Sequence, residues 1–287
     1  MNRLRALGRA ATLMAYFPAV VVLAALQSLV VGPLLRNDTA IPNMIYGGLR
    51  RIFGYKIVFN KASAPLVKDK PVWFLANHLS TADFILTGVT LNGSFVGKGD
   101  ILKTPGVAQI ARALKFIGIE RKSAFNAQSR GKIARNFNGG HNTIMFPEAT
   151  TTDGEEVKLF HAGLLTLLFG DAAVDKKNRP TPLKKDVVVQ PVALRVKSVD
   201  GKDALHDKNV REIYCMNGHK GGDASRIWKR LHVRSTILEV TALEPLDPRQ
   251  FANAQDLANA AAREVASVIN PGQTTFKKAV IPGKTHA

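Results

Sequence analysis

The sequence has a single cysteine, Cys215, among its 287 residues. No intramolecular disulfide can form, which fits a reducing compartment without requiring one. Acidic residues are also scarce, because 22 aspartates and glutamates stand against 40 lysines and arginines, and the formal net charge is +18. Charge of this size attracts nucleic acid, anionic lipid headgroups or acidic proteins.

Several familiar catalytic and binding motifs are missing. There is no Gly-x-Ser-x-Gly elbow, no complete phosphate-binding loop and no His-Glu-x-x-His metal motif. The seven histidines are dispersed, and no basic block alternates with aromatic residues. We therefore expect no metal, no bound cofactor and no nucleic-acid partner. A non-catalytic protein that binds membranes or nucleic acid through its charge stays open as an alternative.

A long uncharged run lies near the N-terminus, from Ala10 to Leu35 between Arg9 and Arg36. As a straight helix it would extend about 39 Å at about 1.5 Å per residue, enough to cross a bilayer core of about 30 Å. Pro18 is expected to break or kink that helix. Arginines on both sides give no orientation, so we predict a half-inserted hairpin with both ends cytosolic. A cleaved signal peptide is the rival interpretation.

The remaining sequence predicts an α/β fold, with a mixed sheet flanked by helices and an N-terminal membrane-associated helical element. We expect membrane-anchoring helices over residues 1–54, including an amphipathic helix within Ile41–Phe53. A catalytic domain is expected over 55–270 and a loose basic tail over 271–287. Residues 199–222 are polar and contain glycine, which predicts an insertion or a mobile loop. Strands are predicted at Tyr55–Asn60, Val72–Ala76, Ser94–Gly97, Phe116–Arg121, Thr143–Phe146, Val187–Leu194 and Thr236–Leu243. Helices are predicted at Thr81–Leu91, Val107–Leu114, Ser123–Asn138, Ala162–Ala173 and Pro248–Ile269.

The first polar cluster, His78 with Asp83, follows an apolar strand and precedes an apolar helix. Five residues turn through about 500° on a helix, so the two side chains cannot share a helical face. His78 would then lie in the loop, with Asp83 folding back from the first turn to orient its ring, as a general base requires. The spacing from Ser80 to Asp83 equally fits a capping box. Both interpretations stay open.

Two further clusters follow predicted strands. Arg121 and Lys122 end one strand and Lys98 ends another, where they could bind a phosphate or simply be solvated. Glu148 and Thr150 follow a third strand in Phe146-Pro-Glu-Ala-Thr150, which could also be an ordinary exit loop. Because functional side chains of α/β proteins gather at the carboxyl ends of strands, we expect these groups to converge at one edge.

Four segments resemble, in order and spacing, the motifs of the glycerolipid acyltransferases. They are His78-x4-Asp83, Phe116-Ile-Gly-Ile-Glu-Arg121, Phe146-Pro-Glu-Ala-Thr150 and Val189-Gln-Pro-Val192. The first and third are specific, whereas the second and fourth are loose. Within the family, the sequence looks most like the bacterial 1-acylglycerol-3-phosphate acyltransferases. Two positions depart from the pattern: Ala149 replaces the usual glycine, and His161 stands where lysine or arginine is common.

The resemblance implies acyl transfer from acyl-CoA or acyl carrier protein to the sn-2 hydroxyl of 1-acylglycerol-3-phosphate, giving phosphatidic acid. Another acceptor, such as lyso-ornithine lipid, is the alternative. His78 and Asp83 would be catalytic, with an oxyanion hole from amides after His78. Arg121 and Lys98 would bind the acceptor phosphate, and Glu148 and Thr150 would position its glycerol. The resemblance also implies membrane lipids as partners, and an inner-membrane location with the catalytic domain on the cytosolic face.

Overall fold

A computed structural model describes residues 2–35, 39–103, 107–120, 126–216 and 223–278. Its centre is an eight-stranded mixed sheet in the order β1-β8-β6-β2-β5-β3-β4, with β7 paired to β6. The strands are β1 (Tyr55–Phe59), β2 (Val72–Ala76), β3 (Ser94–Lys98), β4 (Ile117–Ile119), β5 (Thr143–Met145), β6 (Val188–Val199), β7 (Lys202–Asp203) and β8 (Thr236–Ala242). The predicted fold class is confirmed.

Helices flank the sheet on both faces. They are α1 (Arg3–Leu26), α2 (Gly32–Leu35), α3 (Ala40–Phe53), α4 (Asp83–Leu91), α5 (Val107–Ala113), α6 (Asn126–Asn138), α7 (Lys208–Arg211), α8 (Asp223–His232) and α9 (Ala254–Ile269). A π-helical turn, Gln27–Val31, joins α1 to α2. A hydrophobic core lies on each face of the sheet. Strand β2 contributes to both, since alternate side chains of a strand point to opposite faces. Phe74 packs in a cluster with residues of α3 and α4, whereas Trp73 packs with residues of α6 and α9.

Helix α1 continues through Pro18, so of the predicted break or kink there the break does not occur. The helix lies against α3, where Tyr16 donates to the carbonyl of Met44 or Ile45, at 3.3 Å from each. Gly48 permits this approach, because a Cβ at that position would lie 2.1 Å from the Tyr16 hydroxyl. The helical segment Arg3–Val31 contains an 18-residue stretch with a mean hydropathy of 2.1 and is, by length and composition, able to cross a membrane.

Three further expectations differ from the structure. The predicted helix Ala162–Ala173 is reduced to a 3₁₀ turn, Leu165–Phe169. Residues 199–216, predicted as part of a mobile loop, contain the β6–β7 hairpin, α7 and a buried segment. The start of the tail is bound to the domain, because the Gln273 side chain bonds both backbone groups of Val157 and the Lys277 carbonyl accepts from Leu159.

Candidate active site

The predicted polar clusters follow strands that share one edge of the sheet. Strands β2, β5, β3 and β4 pair in parallel in that order, so their carboxyl ends point the same way. His78 follows β2, Glu148 follows β5, and Lys98 is the last residue of β3. The topology therefore places these segments side by side, as expected for an α/β site.

His78 and Asp83 are in direct contact. The ring Nδ1 of His78 lies 2.9 Å from Oδ2 of Asp83, which is the first residue of α4. The Asp83 side chain is fully buried, whereas that of His78 is 20% exposed. A buried carboxylate at Nδ1 places the proton there and leaves Nε2 as the basic nitrogen. The geometry predicted from the spacing is therefore present.

Asp83 also closes the loop before α4. Its Oδ2 accepts from the amides of Leu79 and Ser80, at 2.6 Å and 3.0 Å. The Ser80 contact has the direction of a capping-box bond, but the N-cap of α4 is Ala82, which makes no side-chain cap hydrogen bond. The carboxylate of Asp83 therefore closes the loop as well as orienting the ring. Because these two amides already serve Asp83, they do not form the oxyanion hole that was expected after His78.

The backbone and ring of His78 are held from several sides. Its amide donates to Oε2 of Glu148 at 2.8 Å, and its carbonyl accepts from the Thr152 amide at 2.8 Å. The imidazole stacks on Phe146, with ring centroids 4.3 Å apart and an interplanar angle of 13°. The loop after β5 therefore fixes the residue that follows β2.

Glu148 is fully buried and bonded through both carboxyl oxygens. Oε1 accepts from the Lys158 amide at 2.8 Å, while Oε2 holds His78. Burial raises the pKa of Glu148 to about 8, although the two amide donors act in the opposite direction. The side chain therefore faces protein, where it supports the loop. Thr150 lies half-buried in the turn that follows.

Of the two cations expected to bind phosphate, the structure describes Lys98 and does not describe Arg121. Lys98 is 57% exposed and lies 2.6 Å from the Asp100 carboxylate, so its charge is already paired. Arg121 lies outside the described residues, as does Lys122. The structure thus brings together His78, Asp83 and Glu148, and leaves Lys98 at the rim.

Tyr214 is a site residue that the sequence did not reveal. Its hydroxyl donates to Oδ1 of Asp83 at 2.8 Å, and the residue is 1% exposed. Burial, and then the charge of Asp83, raise the pKa of Tyr214 well above its usual value, so it remains a donor. Arg230 binds the Tyr214 carbonyl at 2.7 Å. The sequence does contain a sign that this segment is buried, since Ile213-Tyr-Cys-Met216 is an apolar run inside a polar stretch.

Cys215 lies beside Tyr214 and is 4% exposed. Burial raises the pKa of its thiol well above the usual value, with the charge of Asp83 acting in the same direction. A thiol of this kind is protonated and unreactive at neutral pH, which gives it no role as a nucleophile.

Comparison with known proteins finds a family that part of the chain matches. Residues 58–195, which contain all four motifs, match the model of the Acyltransferase family. This segment of the chain is therefore similar to that family. This confirms the resemblance found in the motifs, and the histidine–aspartate pair, the Glu148 loop and Lys98 all lie inside the matched region.

Curated proteins similar to this chain include three lyso-ornithine lipid O-acyltransferases. The protein from Pseudomonas aeruginosa is 26% identical over 198 residues, which cover 68% of this chain and 67% of that protein. The Brucella abortus protein is 26% identical over 56% of this chain and 57% of its own length. The Rhizobium meliloti protein is 29% identical over 47% and 44%. The chain thus spans about half to two thirds of the relatives that it matches.

A solved structure shares the fold of this chain. It is the 1-acyl-sn-glycerophosphate (LPA) acyltransferase PlsC from Thermotoga maritima, with a TM-score of 0.55 and 21% sequence identity. The match covers 96% of this chain and 100% of that one. The N-terminal helices are therefore part of the shared architecture.

Two departures from the family pattern have structural consequences. Ala149 has a φ of 59°, the left-handed region that favours glycine, so the position does impose strain. Partial desolvation, and then the charge of Lys278, lower the pKa of His161. An imidazole with a lowered pKa is neutral at pH 7, so His161 does not replace the usual cation of the acyltransferases.

Proposed function

We propose that the protein transfers a fatty acyl chain from a thioester to the free hydroxyl of a lysolipid, with His78 as general base. The observation that carries the proposal is the 2.9 Å contact between Nδ1 of His78 and the buried carboxylate of Asp83. Within the part of the chain that the structure describes, Nε2 of His78 has no hydrogen-bond partner. That nitrogen is therefore open to a substrate hydroxyl.

The mechanism needs no covalent enzyme intermediate, because a thioester is already an activated acyl group. Nε2 of His78 takes the proton as the hydroxyl oxygen attacks the acyl carbonyl. Asp83 stabilises the imidazolium that forms. When the tetrahedral intermediate collapses, the carbon–sulfur bond breaks and the imidazolium returns the proton to the leaving thiolate. The products are an ester and a free thiol.

Lyso-ornithine lipid is the acceptor we favour. The curated relatives described above carry that activity in their names. Its headgroup lacks phosphate, and two features agree with this: Lys98 is paired with Asp100, and His161 has a lowered pKa. A zwitterionic headgroup needs fewer free cations in the site than a phosphate does.

1-Acylglycerol-3-phosphate is the second candidate acceptor, and its product would be phosphatidic acid. Arg121, at the end of the motif Phe116-Ile-Gly-Ile-Glu-Arg121, supports it, because a guanidinium can bind phosphate through two parallel hydrogen bonds. In this case Glu148 and Thr150 would position the glycerol, and Glu148 would first have to release an amide.

We propose acyl-CoA or acyl carrier protein as the donor substrate, with no resident cofactor. The net charge of +18 suits both an acidic carrier and anionic lipid. The apolar segment Arg3–Val31 supports attachment to a membrane. We place the enzyme at the inner membrane, with the catalytic domain on the cytosolic face where these donors occur.

An acceptor panel tests the proposal. The purified full-length protein is given one acyl thioester and either lyso-ornithine lipid or 1-acylglycerol-3-phosphate, and products are identified by mass spectrometry. Transfer to the ornithine lipid at the higher kcat/KM supports our assignment, whereas the reverse order supports phosphatidic acid synthesis. Thioester hydrolysis without ester formation on any lysolipid would refute the proposed reaction.

Arg121 provides an internal check on the second acceptor. If phosphate is recognised there, Arg121→Ala should raise KM for 1-acylglycerol-3-phosphate more than KM for the donor. Arg121→Lys should rescue only part of the loss, because a point charge does not replace a bidentate guanidinium. Equal effects on both KM values would remove Arg121 from the acceptor site.

A further inference from the structure

Helix α8 exposes apolar and basic side chains that the acyl-transfer chemistry does not use. Trp228 is 41% exposed and Ile227 is 38% exposed, and Lys229 beside them is also exposed. On the same helix Arg230, Leu231 and His232 are buried against the domain. A short helix with a basic, aromatic outer surface is typical of segments that lie in a membrane interface.

The position of α8 connects this surface with the apolar N-terminal helix. Helix α8 packs against α1, and Arg5 of α1 donates to the His232 carbonyl at 3.0 Å. Arg9 bonds the carbonyls of Val233 and Arg234, directly after α8. Both arginines are thus fixed to the end of α8. The end of α8 is therefore held against the first turns of the helix that can enter a membrane.

Helix α8 is also connected to the candidate active site. Arg230 donates to the carbonyl of Tyr214 at 2.7 Å, and the Tyr214 hydroxyl bonds Asp83 at 2.8 Å. A helix held in place by lipid would therefore hold the catalytic edge of the sheet at a defined height above that lipid.

We propose that α8 lies in the headgroup layer of an anionic phospholipid bilayer. Trp228 and Ile227 contact the boundary between headgroups and acyl chains, and Lys229 contacts lipid phosphates. Tryptophan favours this boundary because its ring is apolar and its N–H is polar. The positive charge of the protein favours anionic over zwitterionic lipid. The inference extends the proposed membrane-surface lipid enzyme to a second attachment point beside the active site.

The two tryptophans make a direct experiment possible. Trp73 is fully buried, so Trp228 is the tryptophan open to its surroundings. The full-length protein is placed in phosphatidylglycerol vesicles whose acyl chains carry bromine close to the headgroup, and tryptophan fluorescence is compared with unbrominated vesicles. We expect quenching of a component that Trp228→Phe lacks. In the same vesicles, acrylamide should quench that component less than in detergent.

A matched control uses Phe59, which is 49% exposed at the carboxyl end of β1. Strand β1 starts beside the end of α8 and runs away from it, so Phe59 lies far from the proposed lipid surface. The fluorescence of the double variant Trp228→Phe, Phe59→Trp should therefore be quenched by acrylamide and not by bromolipid. Equal bromolipid quenching at both positions would overturn the proposal.

Charge and partner identity complete the test. Lys229→Gln should weaken bromolipid quenching in phosphatidylglycerol and leave it unchanged in phosphatidylcholine. If acidic acyl carrier protein shields Trp228 from acrylamide while vesicles do not, α8 binds protein and the lipid proposal fails. None of these measurements uses turnover, so their failure is distinct from failure of the proposed acyl transfer.

Discussion

Asp83 serves two tasks with one carboxylate. Oδ2 binds the His78 ring and two loop amides, while Oδ1 binds the Tyr214 hydroxyl. A buried charge is costly unless hydrogen bonds compensate it, and here four donors do so. Loop closure and base orientation therefore depend on the same atoms at the residue scale.

Replacing His78 by alanine removes the proposed base and should leave the loop intact, because its amide and carbonyl make the structural contacts. We expect kcat to fall by about 10²–10⁴-fold, the usual contribution of a general base, with thermal unfolding close to that of the wild type. Near-normal turnover by a folded His78→Ala variant would contradict the mechanism.

Asp83→Asn separates catalysis from capping. The asparagine oxygen can still accept from loop amides, but the side chain no longer carries the charge that stabilises an imidazolium. We expect a large loss of kcat with a small change in unfolding temperature. A variant with normal kcat would show that Asp83 acts only in the loop.

Tyr214 should help to position the base through Asp83. Tyr214→Phe removes the hydroxyl that donates to Oδ1, so the carboxylate that orients the His78 ring is held by one hydrogen bond fewer. We expect kcat to fall while the KM values for donor and acceptor stay close to those of the wild type. Tyr55 and Arg230, which also face the Tyr214 ring, are unchanged by the substitution. An unchanged kcat in a folded variant would assign Tyr214 a structural role alone.

At the scale of elements, the sequence predicted the sheet well because its strands are continuous apolar runs between turn residues. Strand β2 was predicted with its observed bounds, and all five of its residues are buried. The contact between His78 and Asp83 was one of the two interpretations that the sequence left open, since the two residues lie within five positions of each other.

Long-range partners were not predictable in this way. Tyr214 bonds a residue 131 positions away, and no local pattern reports such a pairing. The predicted helix Ala162–Ala173 failed for a related reason. The apolar residues of this segment reach the core from a short 3₁₀ turn. Leu165 and Leu167 are buried there, although no full helix forms.

Ala149→Gly should stabilise the loop after β5. An L-residue at a φ of 59° costs about 1–2 kcal/mol relative to glycine, because its Cβ crowds the backbone, and glycine's greater freedom in the unfolded chain offsets part of this. We expect a raised unfolding temperature with His78 still oriented. A lower unfolding temperature would show that the Ala149 side chain contributes packing that outweighs the strain.

Glu148 should make stability depend on pH. Its folded-state pKa of about 8 lies above the ordinary value of 4.5 for a glutamate side chain, so the folded protein binds the proton more tightly. Its contribution to stability is therefore greatest at acidic pH and is lost as pH rises from about 4.5 to about 8. Subtracting the unfolding profile of Glu148→Gln from that of the wild type should isolate this decline. A flat difference would contradict it.

At the scale of the whole molecule, α1 packs against the domain as one of its helices. Ala6, Val20 and Ala24 are buried, and Arg5 and Arg9 bond carbonyls at the end of α8. Of the most apolar 18-residue stretch of Arg3–Val31, however, only 17% is buried inside the protein. One side of the helix thus packs on the enzyme while the other remains available to lipid.

A variant that begins at Arg36 should therefore be less stable as well as less firmly attached. Its unfolding temperature in detergent should fall, because the surfaces of α3 and α8 beneath α1 become exposed. It should still bind anionic vesicles through α3, where Arg50 and Arg51 lie in the last turn, and high salt should release it. An unchanged unfolding temperature would show that α1 is only an anchor. Arg9→Ala is the matched control for the lost carbonyl contacts.

The burial of Cys215 makes its thiol a probe of local opening in the native protein. Its thiol is buried next to Tyr214 and reacts only when the packing around Asp83 opens. The rate at which a small alkylating reagent modifies the native enzyme therefore measures how often this region opens locally. A bound acyl chain or lysolipid that slows modification would report closure of the site without any turnover.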